Sequence, residues 1–118
     1  MKILVTGAAG FIGSFVADAL LARGDEVIGI DNLNDYYDPK LKEVRLNFLK
    51  LKNGFKFYQI DIADYQVLEK VFAENKIDKV CHLAAQAGVR YSIENPQVYQ
   101  RSNLQGFTNI LEAVRNFK

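Results

Sequence analysis

Gly7, Gly10 and Gly13 stand three residues apart in TGAAGFIG (6–13), directly behind the apolar run ILV. Glycines at a strand-to-helix turn let backbone come against a ligand. Gly7 can take the dihedral angles of the turn without a Cβ penalty. Gly10 lets a pyrophosphate approach the main chain, and Gly13 lets the helix pack close to the strand. The phosphates then meet free N–H groups at a helix N-terminus, worth about 0.3–2 kcal/mol from the dipole.

Asp31 closes the second apolar run, 18 residues past Gly13. A carboxylate there accepts hydrogen bonds from the hydroxyls of an adenosine ribose and repels a 2′-phosphate, which favours NAD over NADP. Asn32 is a helper for the same ribose. The loop, its flanking elements and the acid predict a dinucleotide site. A plain tight turn and an ordinary strand-end aspartate are the simpler alternatives. Arg90, at the carboxyl edge after the fourth apolar run, could meet a phosphate or a substrate carboxylate.

Alternating elements must position these residues. KILVT (2–6), EVIGI (26–30), FKFYQI (55–60) and KVCHLA (79–84) read as strands. The first helix runs from Phe11 to Arg23 with Phe11, Ile12, Phe15, Val16, Ala19 and Leu20 on one face, ended by Gly24. Pro39 opens a second helix with Leu41, Val44, Phe48 and Leu51 as its apolar stripe, closed by Gly54. On that helix Lys40, Lys42, Arg45, Lys50 and Lys52 read as a solvated basic face. Asp64 is the N-cap of a third helix carrying Val67, Leu68, Val71 and Phe72. A loop leads to Asn95-Pro96, the N-cap and first residue of a long last helix with Val98, Leu104, Phe107, Leu111 and Val114 inward.

Strands separated by helices of this length predict parallel pairing and a doubly wound α/β fold, four strands in the order 3-2-1-4. The 118 residues are one domain at most. In such a fold a fifth strand is expected beside the fourth, so the chain reads as truncated, with an exposed edge prone to pair with another chain. Fifteen basic against 14 acidic residues give no field for nucleic acid or an anionic membrane. The one cysteine, Cys81, allows no internal disulfide and no cysteine zinc cage, the first residues do not read as a signal peptide, and no apolar run reaches spanning length. A cytoplasmic protein without a metal site is expected.

TGAAGFIG, DNL (31–33), DI (61–62), HLAA (82–85) and SNLQG (102–106) together resemble the extended short-chain dehydrogenase/reductase family, the nucleotide-sugar epimerases and dehydratases. NDYYDPKLK (34–42) and AAQAGVRYSIENP (84–96) look like its UDP-glucuronate 4-epimerase group, which supplies polysaccharide synthesis. The resemblance implies a Rossmann-type NAD-binding domain of which residues 1–118 are the N-terminal portion, the rest and the substrate domain lying beyond. It implies that Phe11 and Ile12 lie beside the pyrophosphate, that Asp61 bonds the adenine amino group, and that Ile62 packs on the ring. Leu83, Ala84, Ala85 and Gln86 would pass along the ribose and nicotinamide, and Asn103 matches the family's helix asparagine. His82 falls at a structural strand end.

The family's catalytic pair is a helical YxxxK with an assisting Ser or Thr. The chain's one YxxxK, Tyr36 and Lys40, is interrupted by Pro39 and sits at the adenosine end, so no catalytic residue is assigned. The implied reaction of the longer enzyme is transient oxidation at sugar C4, with hydride passed to NAD and returned to the other face. These 118 residues alone are expected to be inactive. The alternatives are a UDP-glucose epimerase or dTDP-glucose dehydratase of the same framework, or a non-catalytic NAD-binding module.

Overall fold

The structure, a computed structural model, describes residues 1–33, 39–85 and 89–117, without the side chains of Pro39, Val89, Arg90 and Tyr91. Four parallel strands, β1 (Lys2–Thr6), β2 (Glu26–Asp31), β3 (Phe55–Gln59) and β4 (Lys79–His82), form one sheet in the order β3-β2-β1-β4. The expected doubly wound topology is therefore present. The inner strands β1 and β2 lack a polar face because both of their sides are covered. Ile3, Val5 and Val27 face a core with Ala8, Ala17 and Leu49. Leu4, Ile28 and Ile30 face another with Leu68, Val71, Phe72, Ile110 and Ala113.

The first core lies under α1 (Phe11–Ala22) and α2 (Pro39–Lys50), and the second under α3 (Tyr65–Glu74) and α6 (Gly106–Asn116). Asp64 caps α3 as expected, its side chain accepting from the Gln66 N–H at 3.2 Å. Where a loop is expected before Asn95, the chain forms a short helix, α4 (Val89–Glu94). Asn95 precedes α5 (Pro96–Tyr99) in the N-cap position, but its side chain makes no capping bond. The long last helix is interrupted by a π-helical segment, Gln100–Gln105, before α6.

Three helices present a different face from the expected one. In α1 the buried residues are Gly13 and Ala17, while Phe11, Ile12 and Phe15 are exposed. In α6 they are Gly106, Asn109, Ile110 and Ala113, while Leu104 before it and Phe107, Leu111 and Val114 are exposed. Close approach to a sheet selects small residues over the widest apolar stripe. A Cβ on Gly106 would meet Ile62 Cδ1 at 2.6 Å, and Asn109 Nδ2 donates to the Ile62 carbonyl at 2.8 Å. In α2 the inward stripe is Lys42, Leu46 and Leu49; Leu41, Val44 and Phe48, with Leu51 just beyond, are exposed. The reason there is electrostatic and belongs to the site.

Candidate functional site

Each of the three loop glycines meets a different physical demand. Gly7 has φ +69° and leaves β1 with its N–H donating to the Ile30 carbonyl at 2.8 Å. That backbone region disfavours any Cβ. Gly13 packs so closely that a Cβ would lie 1.9 Å from the Gly7 carbonyl oxygen. Gly10 differs from both. Its φ of −77° and ψ of 172° suit any residue, and an added Cβ would approach only the Gly7 oxygen, at 3.1 Å. Space above Gly10 is thus left open beside the first turn of α1. There the Phe11, Ile12 and Gly13 N–H groups have no intrahelical acceptor.

Asp31 ends β2 with its carboxylate buried and bonded on both oxygens. Oδ2 accepts from the Ala9 N–H at 3.1 Å, tying the acid to the glycine loop. Oδ1 accepts from the Leu33 N–H at 2.8 Å and from Lys42 Nζ at 3.2 Å. The Lys42 side chain is only 11% exposed, so it is no part of a solvated face. Arg45, one turn further, donates to the Ala9 carbonyl at 3.3 Å and lies 5.8 Å from the Phe11 ring centroid. These inward cations set the orientation of α2 and correct the expected basic surface at Lys42 and Arg45, while Lys40 and Lys50 are exposed as expected. Lys52 is likewise engaged, with Asp18 of α1 at 2.5 Å.

The crevice opens at the carboxyl ends of β1 and β4, from which the chain leaves toward opposite faces of the sheet. Thr6, fully buried, organises that point. Its Oγ1 accepts from the Leu83 and Ala84 N–H groups at 2.9 and 3.0 Å and stands 2.7 Å from His82 Nδ1. With two donors already received, the hydroxyl hydrogen goes to Nδ1, which places the imidazole proton on Nε2. The ring stacks on Phe107 at 5.5 Å, and burial lowers the His82 pKa from its ordinary value. These contacts tie the end of β4 to β1 and to α6.

On the far wall, Asp61 Oδ1 accepts from the Ala63 N–H at 2.9 Å, and Oδ2 lies 2.9 Å from an Arg101 guanidinium nitrogen. The carboxylate expected to read adenine is therefore held by Arg101 of the π segment. π-Helical turns recur at functional sites because they re-aim side chains.

These parts enclose a cleft of about 290 Å³. Ten expected residues line it: Gly7, Gly10, Phe11, Asp31, Asn32, Asp61, Ile62, Leu83, Ala84 and Ala85. Sequence reasoning missed Ile30, Leu41, Lys42, Arg45, Ile60 and Ser102. The i, i+3 spacing of Lys42 and Arg45 opposite Asp31 was the available signal for two of them. Gly13 serves packing instead of lining. The Ile12 side chain is exposed and does not line the cleft, which leaves its N–H group, in the first turn of α1, as the part that can serve it. Asn103 is half-buried, but the π segment turns Ser102 to the cleft in its place. Gln86 and the Arg90 side chain lie outside the described residues, as does Tyr36. Among the described residues no cluster of acids, histidine and cysteine could hold a metal ion, and no helix is long and apolar enough to cross a membrane.

Residues 4–118 match the family model described as GDP-mannose 4,6 dehydratase. The chain is 55% identical to the UDP-glucuronate 4-epimerase of Thermodesulfobacterium geofontis over 97% of its own length and 35% of that protein's. It is 53% identical to Protein CapI of Staphylococcus aureus over 99% of its length and 35% of the relative's. The Bacillus cereus UDP-glucuronic acid 4-epimerase, solved in complex with UDP-glucuronic acid and NAD, superposes with a TM-score of 0.90 at 41% identity. That match covers 100% of this chain and 37% of the other. The chain thus spans about a third of the length of these relatives.

Proposed function

Because this chain belongs to the GDP-mannose 4,6 dehydratase family, we propose that it is the NAD-binding segment of a nucleotide-sugar epimerase acting on UDP-glucuronate. The observation that carries the cofactor is Gly10. Its backbone needs no glycine, so the open space it leaves beside a helix N-terminus is a cradle for the pyrophosphate. Asp31 and Asn32 stand where the adenosine ribose follows, and Ile62 offers an apolar surface to the adenine. UDP-glucuronate as substrate is supported by the relatives at 53–55% identity and by the sugar nucleotide in the Bacillus cereus complex.

When bound, NAD supplies reversible hydride acceptance at sugar C4. The residues of this chain hold and orient it. The loop N–H groups take the pyrophosphate, Asp31 accepts from ribose hydroxyls, and Leu83, Ala84 and Ala85 leave room for backbone approach. Residues 1–118 are the N-terminal portion of the NAD-binding domain, with the substrate domain and the proton-transferring tyrosine outside them.

We infer that in the isolated chain a second copy would cover β4, one of the sheet's two edges. Beside it an apolar groove of about 310 Å³ runs between Phe72, Val80, Phe107, Leu111 and Val114. A cytoplasmic setting agrees with the free thiol of Cys81. Titration calorimetry of the 118-residue chain tests the cofactor: saturable one-to-one heat with NAD is expected, and no heat at millimolar NAD overturns the reading.

A further inference from the structure

The π turn carries Arg101 to a place that a regular helix would deny it. Residues five apart in an α-helix diverge by about 140° around the axis. Here the Gly106 N–H donates to the Arg101 carbonyl, which closes the wider turn and sets Arg101 above Gly106. Gly106 itself lies against Ile62, so Arg101 stands over the acid that precedes it. Arg101 Nε and Nη2 converge on one oxygen, Asp61 Oδ2, at 3.1 and 2.9 Å. Oδ1 accepts from the Ala63 N–H at 2.9 Å. A carboxylate offers about four acceptor positions, shared between its oxygens. Arg101 fills both on Oδ2, and one on Oδ1 remains. Asp61 lines the cleft between Ile60 and Ile62, while Arg101 is outside the lining and grips the acid from behind. The two isoleucines suit the flat face of a base, and the carboxylate between them can only accept. The base it favours therefore carries an amino group, as adenine does at C6.

We propose that Arg101 is a positioning residue for base recognition: by saturating Oδ2 it fixes the Asp61 carboxylate with Oδ1 as the acceptor for a 6-aminopurine, so that the site discriminates against a 6-oxopurine. The inference rests on the NAD reading and deepens it at the base. Without Arg101, Oδ2 is open to water and the partly exposed carboxylate turns from the cleft. The amino group then loses its partner, and a 6-oxo group no longer faces an opposing acceptor. The ion pair has a plain structural use as well, tying the π segment to the end of β3. The two roles separate in a ratio of affinities, because a tether weakens all dinucleotides alike.

The experiment is calorimetry of the 118-residue chain with NAD and with nicotinamide hypoxanthine dinucleotide, which carries a 6-oxo group in place of the amino group. The wild type should prefer NAD about tenfold or more, since hydrogen bonds to charged groups are the stronger kind. Arg101→Met should cut that preference by about threefold or more, chiefly by weakening NAD. Asp61→Asn, whose amide can donate to the oxo group, should abolish the preference by itself. In that background Arg101→Met should leave the ratio unchanged. The pair is partly exposed, so each variant folds. An unchanged ratio in Arg101→Met overturns the proposal and leaves only the tether. An equal fall in the Asp61→Asn background overturns it too, because Arg101 would then act on the base directly. A wild-type preference below about threefold overturns it while leaving the NAD reading intact. Absence of NAD binding by the wild-type chain overturns both.

Discussion

The Gly7 carbonyl oxygen occupies the place of a Gly13 side chain: a Cβ on Gly13 would lie 1.9 Å from it. The exit of β1 and the first turn of α1 are in backbone contact, and that contact aims the helix N-terminus along the sheet's carboxyl edge. Backbone on both sides leaves nothing flexible to give way. Gly13→Ala should therefore cost about 3 kcal/mol or more, at the upper end for overpacking. Urea unfolding of the variant checks this; a loss below about 1 kcal/mol would show that the loop adapts.

Gly10→Ala should do the opposite. Its dihedral angles are ordinary and its only close neighbour is the Gly7 oxygen at 3.1 Å. Stability should change by less than about 1 kcal/mol, while NAD affinity falls at least tenfold because the methyl group stands where the pyrophosphate comes against the backbone. Unaltered binding in a folded Gly10→Ala chain would remove the cradle argument.

Thr6→Val keeps the shape of a fully buried residue and removes its oxygen. The Leu83 and Ala84 N–H groups lose their acceptor, and His82 Nδ1 loses its donor. The expected loss is about 2–3 kcal/mol, since unsatisfied buried donors cost about 1–3 kcal/mol each and these are only half-buried. Thr6→Ser retains the hydroxyl and should lose about 1 kcal/mol, the worth of one methyl. Denaturant midpoints of the two variants decide it; equal losses would mean the hydroxyl contributes nothing.

The chain's one histidine makes stability depend on pH in a defined direction. Burial lowers the His82 pKa below its unfolded value near 6.5. Between the two values the unfolded chain binds more protons, so stability rises with pH across that window. It is fully present above about 6.5 and lost as pH falls toward the folded value. Unfolding midpoints measured from pH 5.5 to 7.5 should climb for the wild type and stay flat for His82→Asn, which keeps an acceptor for Thr6. A wild-type slope of the opposite sign would contradict the buried, Nδ1-accepting imidazole.

The 118-residue chain should not convert UDP-glucuronate to its C4 epimer. Its one YxxxK has Pro39 inside the spacing, and α2 begins at that proline. Measurable conversion by the pure chain, followed by chromatography of the sugar nucleotide, would require a base other than a helical tyrosine.

Much of the site was legible because it consists of backbone demands and strand ends. Gly7 and Gly13 advertise a left-handed turn and a close approach, and Asp31 falls at the end of an apolar run, so their roles follow from type and spacing. Helix faces were less legible. The stripe of Leu41, Val44 and Phe48 and the stripe of Lys42, Leu46 and Leu49 both fit a helical period, and hydrophobicity favours the first. The second wins because Asp31 and the Ala9 carbonyl, distant in sequence, draw Lys42 and Arg45 inward.

The sequence by itself determined the element order, the parallel sheet and the glycine loop between β1 and α1. These depend on local dihedral preference and on runs apolar enough to be buried on both faces. Only the tertiary structure decided which helix faces pack, that Arg101 holds Asp61, and that a lysine pairs with Asp31 in the cleft wall. Those outcomes depend on how closely a helix can approach the sheet and on which charges meet across it. Neither the distance nor the meeting is written in the spacing of residues along one element.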